Sequence, residues 1–334
     1  SIEGMLNYYQ ISIEMIIRLT KVNGQIGIIC PSSLFADLTS AKLRKYLLLM
    51  NRLSFIRYYS ESTKLFDNVA QSTVIFYLQK GCKTDSIKIE KSNNSFEVKL
   101  STIKNIFSTN FEIPLIDKIE WSILEKISKH KMLRQMPFIR NRRGELDLTQ
   151  HKSFITSKNT GWRLVRGNMI SEGSIFDKNG EYVNVSEFLN KKSTDYKMYD
   201  YNSERLVCQQ ISNVDLHRRL KFVFCERTDI IGNSCNYIVS TRGQDDLKKL
   251  FYLLNSSLLN WRFKISSSNN HVNNYELDEL PIVELDSFSL SNFLMEGSVI
   301  DKIVCKLYGL TEGETNYILS MQKKMKQVVE YEIV

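Results

Sequence analysis

The sequence predicts an α/β unit, then an α+β region, then a short helical tail. Three observations carry this prediction. Over the first 80 residues helical and strand-like periodicities alternate. Between residues 131 and 285 long helical periodicity gives way to short β-like runs divided by Asn, Ser and Gly. From Ser298 onward two helical patterns flank "LYGLTEGE".

Residues 5–20 place Met5, Tyr9, Ile13, Ile16 and Ile17 at helical spacing, and Asn23-Gly24 supplies a stop signal. "QIGIICP" follows, an almost wholly apolar run of the kind buried on both faces of a parallel sheet. The next helix carries Leu43, Leu47 and Met50 on one face and Arg44 and Lys45 on another. "LSFIRYY" and "QSTVIFYL" are strands rich in β-branched and aromatic residues. Between them lies one large apolar residue, Phe66, followed by the turn-forming pair Asp67-Asn68. It is either a core plug or a flat exposed surface. The alternating pair "SIKIEK" and "SFEVKL" leads into an amphipathic helix, "PLIDKIEWSILEKISKH". Further on, "LKKLFYLLNSSLLNWRFKIS" reads as a single amphipathic helix that buries Leu247, Leu250, Phe251, Leu254, Leu258 and Trp261. No internal repeat is visible.

With 334 residues, 43% of them hydrophobic, the chain can build two ordinary cores. Its net charge of +8 fits a polyanionic partner, nucleic acid ahead of an anionic membrane. No apolar run approaches the roughly 20 residues that span a bilayer, so no membrane partner is expected. Six cysteines stand without a C-x-x-C pair, and the four histidines are not at metal-ligand spacing from them. Reduced thiols in a cytoplasmic protein are the expectation, with no metal site. Phosphate-cradling glycine motifs and nucleophile elbows are absent. Asp85 with Glu97 and Lys99 is a short match to a metal-nuclease signature, but such tripeptides are common and these read as exposed faces of a hairpin. Two basic stretches are more informative. "IRNRRGE" gathers Arg140, Arg142 and Arg143, and "VDLHRRLKF" gathers Arg218, Arg219 and Lys221. Guanidinium forks match phosphate oxygens or the guanine edge, although a single surface arginine is ordinarily a solvated charge.

The segment order resembles one family. "GQIGIICPSSLFAD", an "LRKYLLL" helix and "LFDNVAQSTVIFYLQKG" are similar to the second half of the catalytic domain of Taq-type, γ-class adenine-N6 DNA methyltransferases. "RRGELDLTQHKSFIT", "GWRLVRGNMI", "ERLVCQQIS" and "YLLNSSLLNWRFKISSSNNHVNNYELDELPI" resemble the target-recognition domain that follows, and "VCKLYGLTEGE" resembles the closing segment of fused type IIG restriction–modification enzymes. The resemblance implies a partial, Rossmann-like methyltransferase sheet at 1–110, a connecting helix at 111–130, a DNA target-recognition domain at 131–285 and a helical extension at 286–334. It also implies that Phe66 stacks on a flipped adenine, since a base must leave the duplex before its amino group can be reached.

The family's glycine-rich cofactor strand and its Asn/Asp-Pro-Pro-Tyr/Phe motif lie upstream of the helix that opens this chain. The four prolines here (Pro31, Pro114, Pro137, Pro281) are never adjacent. Residue 1 is Ser and not Met, and the expectation is a fragment whose partner is the missing N-terminal half of the same protein. S-adenosylmethionine is then the cofactor of the parent enzyme and is not expected to bind this fragment, which alone should be inactive. Double-stranded DNA is the expected partner. The candidate contacts are Arg140, Arg142, Arg143, Arg166, Gln209, Gln210, Arg218 and Arg219, joined by Asn270 and His271. Those last two lie in "SSNNHVNN", Ser267 to Asn274, where some members push a proline-bearing loop into the gap left by the flipped base. This stretch has no proline, so its polar residues could contact phosphates or bases or act as a weaker wedge. The competing reading is a non-enzymatic specificity subunit working with a separate methylase. It leaves the α/β strands of the first 80 residues unexplained.

Overall fold

A computed structural model describes residues 7–63, 65–66, 71–92, 94–177, 180–192, 200–267, 269–293 and 298–331. The chain divides into two compact units, residues 1–128 and 129–334.

The first unit runs α1 (Tyr8–Leu19), β1 (Gln25–Pro31), α2 (Ala41–Leu49), β2 (Asn51–Tyr59), β3 (Thr73–Lys80), β4 (Ser86–Lys91), β5 (Asn94–Lys99), α3 (Leu100–Ile106) and α4 (Lys118–Ile127). All five strands join one sheet in the order β1-β3-β2-β4-β5. β3 is antiparallel to both β1 and β2, β2 and β4 are parallel, and β4 and β5 form an antiparallel hairpin. Leu53, Ile56, Val74, Phe76, Ile87 and Ile89 are buried, and Phe35 meets Phe76 edge to face at 5.9 Å. Arg44 is wholly buried too. Its Nη1 donates to the carbonyls of Leu34 (2.9 Å) and Asp37 (2.6 Å), and Nε and Nη2 donate to Asn110. Burial lowers its pKa to about 10, against the pull of Glu112 and Asp37.

In a partial sheet "QIGIICP" is expected at the edge with exposed apolar surface, and β1 is such a strand; what changes is its pairing, which is not parallel. β1 runs antiparallel to β3, with Ile26 and Cys30 buried and Ile29 exposed. An apolar run cannot by itself tell a two-faced strand from an edge strand whose second face stays open.

The second unit contains β6 (Lys131–Met132), β7 (Ile139–Arg143), β8 (Ile155–Thr156), β9 (Arg163–Val165), β10 (Tyr182–Val183), α5 (Val185–Lys192), β11 (Arg205–Gln209), β12 (Phe222–Cys225), β13 (Asp229–Ile231), β14 (Cys235–Ser240), α6 (Gln244–Leu254), α7 (Ser257–Ser266), α8 (Asn274–Asp278), β15 (Pro281–Ile282), α9 (Ser298–Leu307) and α10 (Glu312–Tyr331). Two four-stranded sheets dominate it, β12-β11-β14-β7 and β13-β9-β10-β8. Strand alternation decides their packing. Val165 and Ile231 of β9 and β13 join the core that holds Val207, Val223, Cys235, Tyr237 and Val239 of the larger sheet. Their neighbours Leu164 and Ile230 turn the other way, onto Val185 and Phe188.

The chain crosses between the sheets at Gly144-Glu145-Leu146. The Gly144 amide donates to Cys235 (2.9 Å) and that of Leu146 to Ile231 (3.0 Å). A Cβ at Gly144 would stand 2.1 Å from the Gly232 carbonyl oxygen, so the crossing requires glycine. Glu145 points inward and takes both its oxygens to Arg205 Nη1 at 2.8 Å, each residue being fully buried. The same carboxylate accepts from the Ile231 amide, and Arg205 Nη2 donates to the Asp229 carbonyl.

The single helix expected over "LKKLFYLLNSSLLNWRFKIS" is two, α6 and α7, broken at Asn255-Ser256. Ser256 caps α7 by accepting from the Leu259 amide, while the Asn255 side chain exchanges two hydrogen bonds with the Phe222 backbone at the edge of β12. The apolar spacing runs on through the break, but α6 buries one face whereas α7 is buried all round from Ser257 to Phe263. Two helices in the tail are as expected, with Gly309 at φ 71° closing α9. The tail shares the unit with residues 131–285: Tyr308 Oη donates to the Pro281 carbonyl (2.7 Å) and the Ser257 amide donates to Asp301 (2.7 Å). All six cysteines are free, and burial pushes the thiols of Cys225, Cys235 and Cys305 up to about 12.

Arg205→Ala strands a buried carboxylate and should cost about 3–5 kcal/mol in urea unfolding, whereas replacing both partners by apolar residues of similar volume should cost much less. The pH dependence has a defined sign. Hydrogen bonds from the Gln150 and Thr149 amides hold the Asp147 carboxyl below its usual range, and the Arg242 guanidinium does the same for Asp246. Both therefore favour the folded state above the unfolded carboxyl pKa of about 4, and that contribution is lost as pH falls through their lower folded values. The thermal midpoint should drop over that acid window, and Asp147→Asn should flatten the drop.

Candidate nucleic-acid interface

The two sequence clusters of arginine come apart in the structure. Along β7, Arg140 and Arg142 share a face, as residues two apart must, and both meet the buried Asp200, at 3.2 and 2.5 Å. Tyr237 donates to the same carboxylate (3.1 Å). Arg166 forms a two-pronged pair with Glu181 at 2.5 and 3.0 Å. Arg218 donates to the Asn255 carbonyl and lies 3.9 Å from Glu172.

Arg219 is a correction. It was expected at a DNA surface and is wholly buried. Its Nη1 donates to Ser267 Oγ (2.9 Å) and the Ser267 carbonyl (3.3 Å), and its Nη2 to the carbonyls of Ser212 (3.1 Å), Asn269 (2.6 Å) and His271 (3.1 Å). The guanidinium lies 5.0 Å from the Phe263 ring centroid. Burial lowers its pKa, with Glu276 pulling the other way. A residue that sequence reasoning gave to phosphate instead ties together two chain segments, 212 and 267–271.

What those segments build is the better site. At the start of β14 the register sets Gln209 opposite Cys235 and Arg143 opposite Asn236, so the two polar residues reach the same sheet end from opposite faces. Arg143 is exposed, and its Nε donates to the Asn233 carbonyl (2.8 Å). The Gln210 amide donates to Ser234 (2.9 Å), and the Val272 amide donates to Gln210 (2.7 Å). The Ser212 amide then donates to Asn270 (2.8 Å), so residues 210–212 pair antiparallel with 270–272. Gly167, beside Arg166, joins the same end: its amide donates to Ser234 Oγ (3.0 Å), and a Cβ there would sit 2.5 Å from the Ser234 carbonyl oxygen. Arg143, Arg166, Gln209, Gln210, Asn270 and His271 are thus gathered around one turn, Gly232-Asn233-Ser234. Arg140 and Arg142 sit further along β7.

Sequence reasoning missed that turn and the exposed Ile211 beside it. The signal was present in the "IGNSCN" punctuation between two β runs. Of the "SSNNHVNN" stretch, Ser268 lies outside the described residues, while Asn269, Asn270 and His271 are exposed.

In the first unit, Phe66 and Leu65 follow a short 3₁₀ turn, Glu61–Thr63, and are 47% and 40% exposed. Phe66 is therefore no core plug. The turn pair Asp67-Asn68 lies outside the described residues. Asp85, Glu97 and Lys99 are exposed about the β4–β5 hairpin, where Ser86 donates to Glu97. No group of three or more metal-ligating side chains is present among the described residues. Among those residues no helix is long and apolar enough to cross a membrane.

The match to known proteins falls on the segment that builds this sheet end. Residues 163–282 match the TaqI-like C-terminal specificity domain. Two type II methyltransferases of Haemophilus influenzae, M.HincII and M.HindII, each share 31% identity with the chain over 103 residues, covering 31% of it and 20% of the relative. The chain thus matches about a fifth of their length. Among solved structures, the type IIG restriction endonuclease BpuSI aligns at TM-score 0.42 and 13% identity, over 98% of this chain and 49% of its own. The type IIL restriction–modification enzyme MmeI, determined in complex with DNA, aligns at TM-score 0.48 and 13% identity, over 95% of this chain and 51% of its own. The matched segment therefore contains β9 to β15 and five of the six candidate contacts at the sheet end, Arg166, Gln209, Gln210, Asn270 and His271, while Arg143 precedes it on β7.

Arg219→Leu should raise hydrogen exchange at the amides of residues 212 and 272 by about tenfold or more, because it removes the carbonyl anchor of that segment. Arg143→Ala, on the exposed side, should leave that exchange unchanged.

Proposed function

We propose that this chain reads a specific DNA sequence as part of an adenine-N6 DNA methyltransferase of a restriction–modification system. One observation carries the reading. The segment matching a TaqI-like C-terminal specificity domain brings Gln209, Gln210, Asn270 and His271 to one sheet end, where Arg143 of the preceding strand β7 joins them. The chemistry suits a duplex. Gln209 and Gln210 can present the paired donor and acceptor that matches the adenine major-groove edge. Arg143 supplies an exposed cation for phosphate or guanine, and Asn270 and His271 extend the polar surface. Arg140, Arg142 and Arg166 take a secondary role, because a carboxylate already neutralises each, and so does Arg218, whose side chain is mostly buried; Arg143 also donates to a carbonyl but is exposed.

Phe66 fits the adenine platform of such an enzyme, being exposed in a loop at a sheet end. S-adenosylmethionine supplies the methyl group in enzymes of this class. The groove on the first sheet does not offer the groups it needs. About 460 Å³ in volume, that groove is lined by Gln25, Ile26, Gly27, Arg52, Ser54, Tyr77, Leu78 and Gln79, with no carboxylate for ribose hydroxyls or an amino group. The reading for the chain itself is therefore recognition.

Selection from a randomised duplex library by the full chain tests the proposal. Enrichment of one short motif is expected, with affinity falling steeply between about 50 and 200 mM salt. Gln210→Ala should relax preference at one base position, by about 1–3 kcal/mol of discrimination, while Arg143→Ala should weaken all sequences alike if it holds phosphate. No enriched motif, or binding indifferent to salt, would overturn the reading.

A further inference from the structure

We propose that Ile211 and His271 together read the major-groove edge of one stacked, paired thymine, Ile211 packing on its C5-methyl group and His271 donating to its O4. The inference rests on the reading of the sheet end as a DNA surface and deepens it, by naming a base that this surface distinguishes.

Ile211 is 63% exposed, more than any other large apolar side chain described in the second unit. A lone exposed isoleucine ordinarily needs no explanation. This one is surrounded by polar groups in chain and space: Gln209, Gln210, Asn213, Asn270 and His271. A single isoleucine in that setting is far too small for a stable protein interface, which covers about 800 Å² per partner. It matches a target of its own size. In the major groove of a closed duplex the base edges present hydrogen-bonding atoms, and the one apolar group among them is the thymine methyl.

The pairing of Ile211 with His271 adds the second half of the argument. Hydrogen bonds from the Val272 amide to Gln210 (2.7 Å) and from the Ser212 amide to Asn270 (2.8 Å) flank them, so they form a pair between ladder bonds. In such a pair the α-carbons stand about 4.5 Å apart and both side chains project from the same face. Ser212 and Val272, one residue on in each arm, turn the other way and are buried, so the face shared by Ile211 and His271 is the outward one. A thymine edge likewise carries an apolar and a polar feature side by side, the methyl on C5 and the acceptor O4 on C4. An imidazole keeps an N–H donor whether neutral or charged. Below the pair, Arg219 binds the carbonyls of Ser212, Asn269 and His271 and holds both arms of the ribbon. β-branched Ile211 has little rotamer freedom to lose on contact.

The test uses the full chain and the motif it selects, with deoxyuridine replacing each thymine in turn. That replacement removes the methyl group and keeps O4. At one thymine the wild-type chain should lose about fourfold in affinity, the worth of one buried methyl. Ile211→Ala should bind the thymine and uracil duplexes alike, while Ile211→Val should retain most of the preference. His271→Ala should weaken both duplexes by a similar factor and leave the thymine preference in place. A motif in which no thymine responds to loss of its methyl overturns the inference, as does a response that persists in Ile211→Ala. Unchanged affinity in His271→Ala overturns the assignment of O4 to His271. Each of these results leaves sequence recognition standing, whereas failure of the wild-type chain to select any duplex overturns both. Self-association that Ile211→Ala abolishes, with DNA binding unaltered, overturns the inference in favour of contact between copies of the chain.

Discussion

The second unit is organised around the ion pair between Glu145 and Arg205. It sits where the chain passes from one sheet to the other, and its groups join a strand of each: β11 through Arg205 itself, and β13 at both the Asp229 carbonyl and the Ile231 amide. Burial alone would lower the basicity of Arg205, but the Glu145 carboxylate reverses this and holds the guanidinium charged above its ordinary range. Two charges out of water add little net stability, yet either one alone is intolerable there. The pair therefore acts chiefly as a register device. It lets the sheets meet in the one arrangement that brings the fork and the carboxylate together, with Gly144 and Gly232 giving the room.

The same device recurs with carbonyls in place of a carboxylate. The three largest fully buried side chains are arginines, Arg44, Arg205 and Arg219. A guanidinium carries five donors in a rigid plane and can satisfy several chain segments that would otherwise bury unpaired carbonyls. Arg44 closes the turns around Leu34, Asp37 and Asn110, and Arg219 closes the ribbon that carries Ile211, Asn270 and His271. Part of the positive charge that makes the chain look like a polyanion binder is thus internal scaffolding. The recognition surface depends on it indirectly, through the stiffness it gives the sheet end.

The first unit meets a different constraint. Its sheet ends at β1 with an exposed apolar residue, Ile29, and leaves Tyr77 half exposed on the adjoining strand. Its loop aromatic, Phe66, faces solvent for the same reason that makes it suited to a flat ligand: no neighbouring strand or helix covers it among the described residues.

Much of the fold was legible in the sequence. Period-two and period-3.6 patterns marked β2, β3, the β4–β5 hairpin, α1, α2, α4 and the two tail helices, because those periods follow from local geometry and burial of one face. The break at Asn255-Ser256 was not, since both helices continue one apolar stripe and the interruption answers to Phe222, thirty-three residues away. The order of motifs was sufficient to point to the specificity domain. Residue type alone decided that arginines, glutamines and an isoleucine were available near the sheet end. Tertiary structure decided their roles. Whether an arginine meets solvent or is enclosed by carbonyls depends on chain segments some fifty residues apart, as with Arg219 and Ser267–His271. Long-range pairing also placed Gln210, Ile211 and His271 side by side, which no local periodicity encodes.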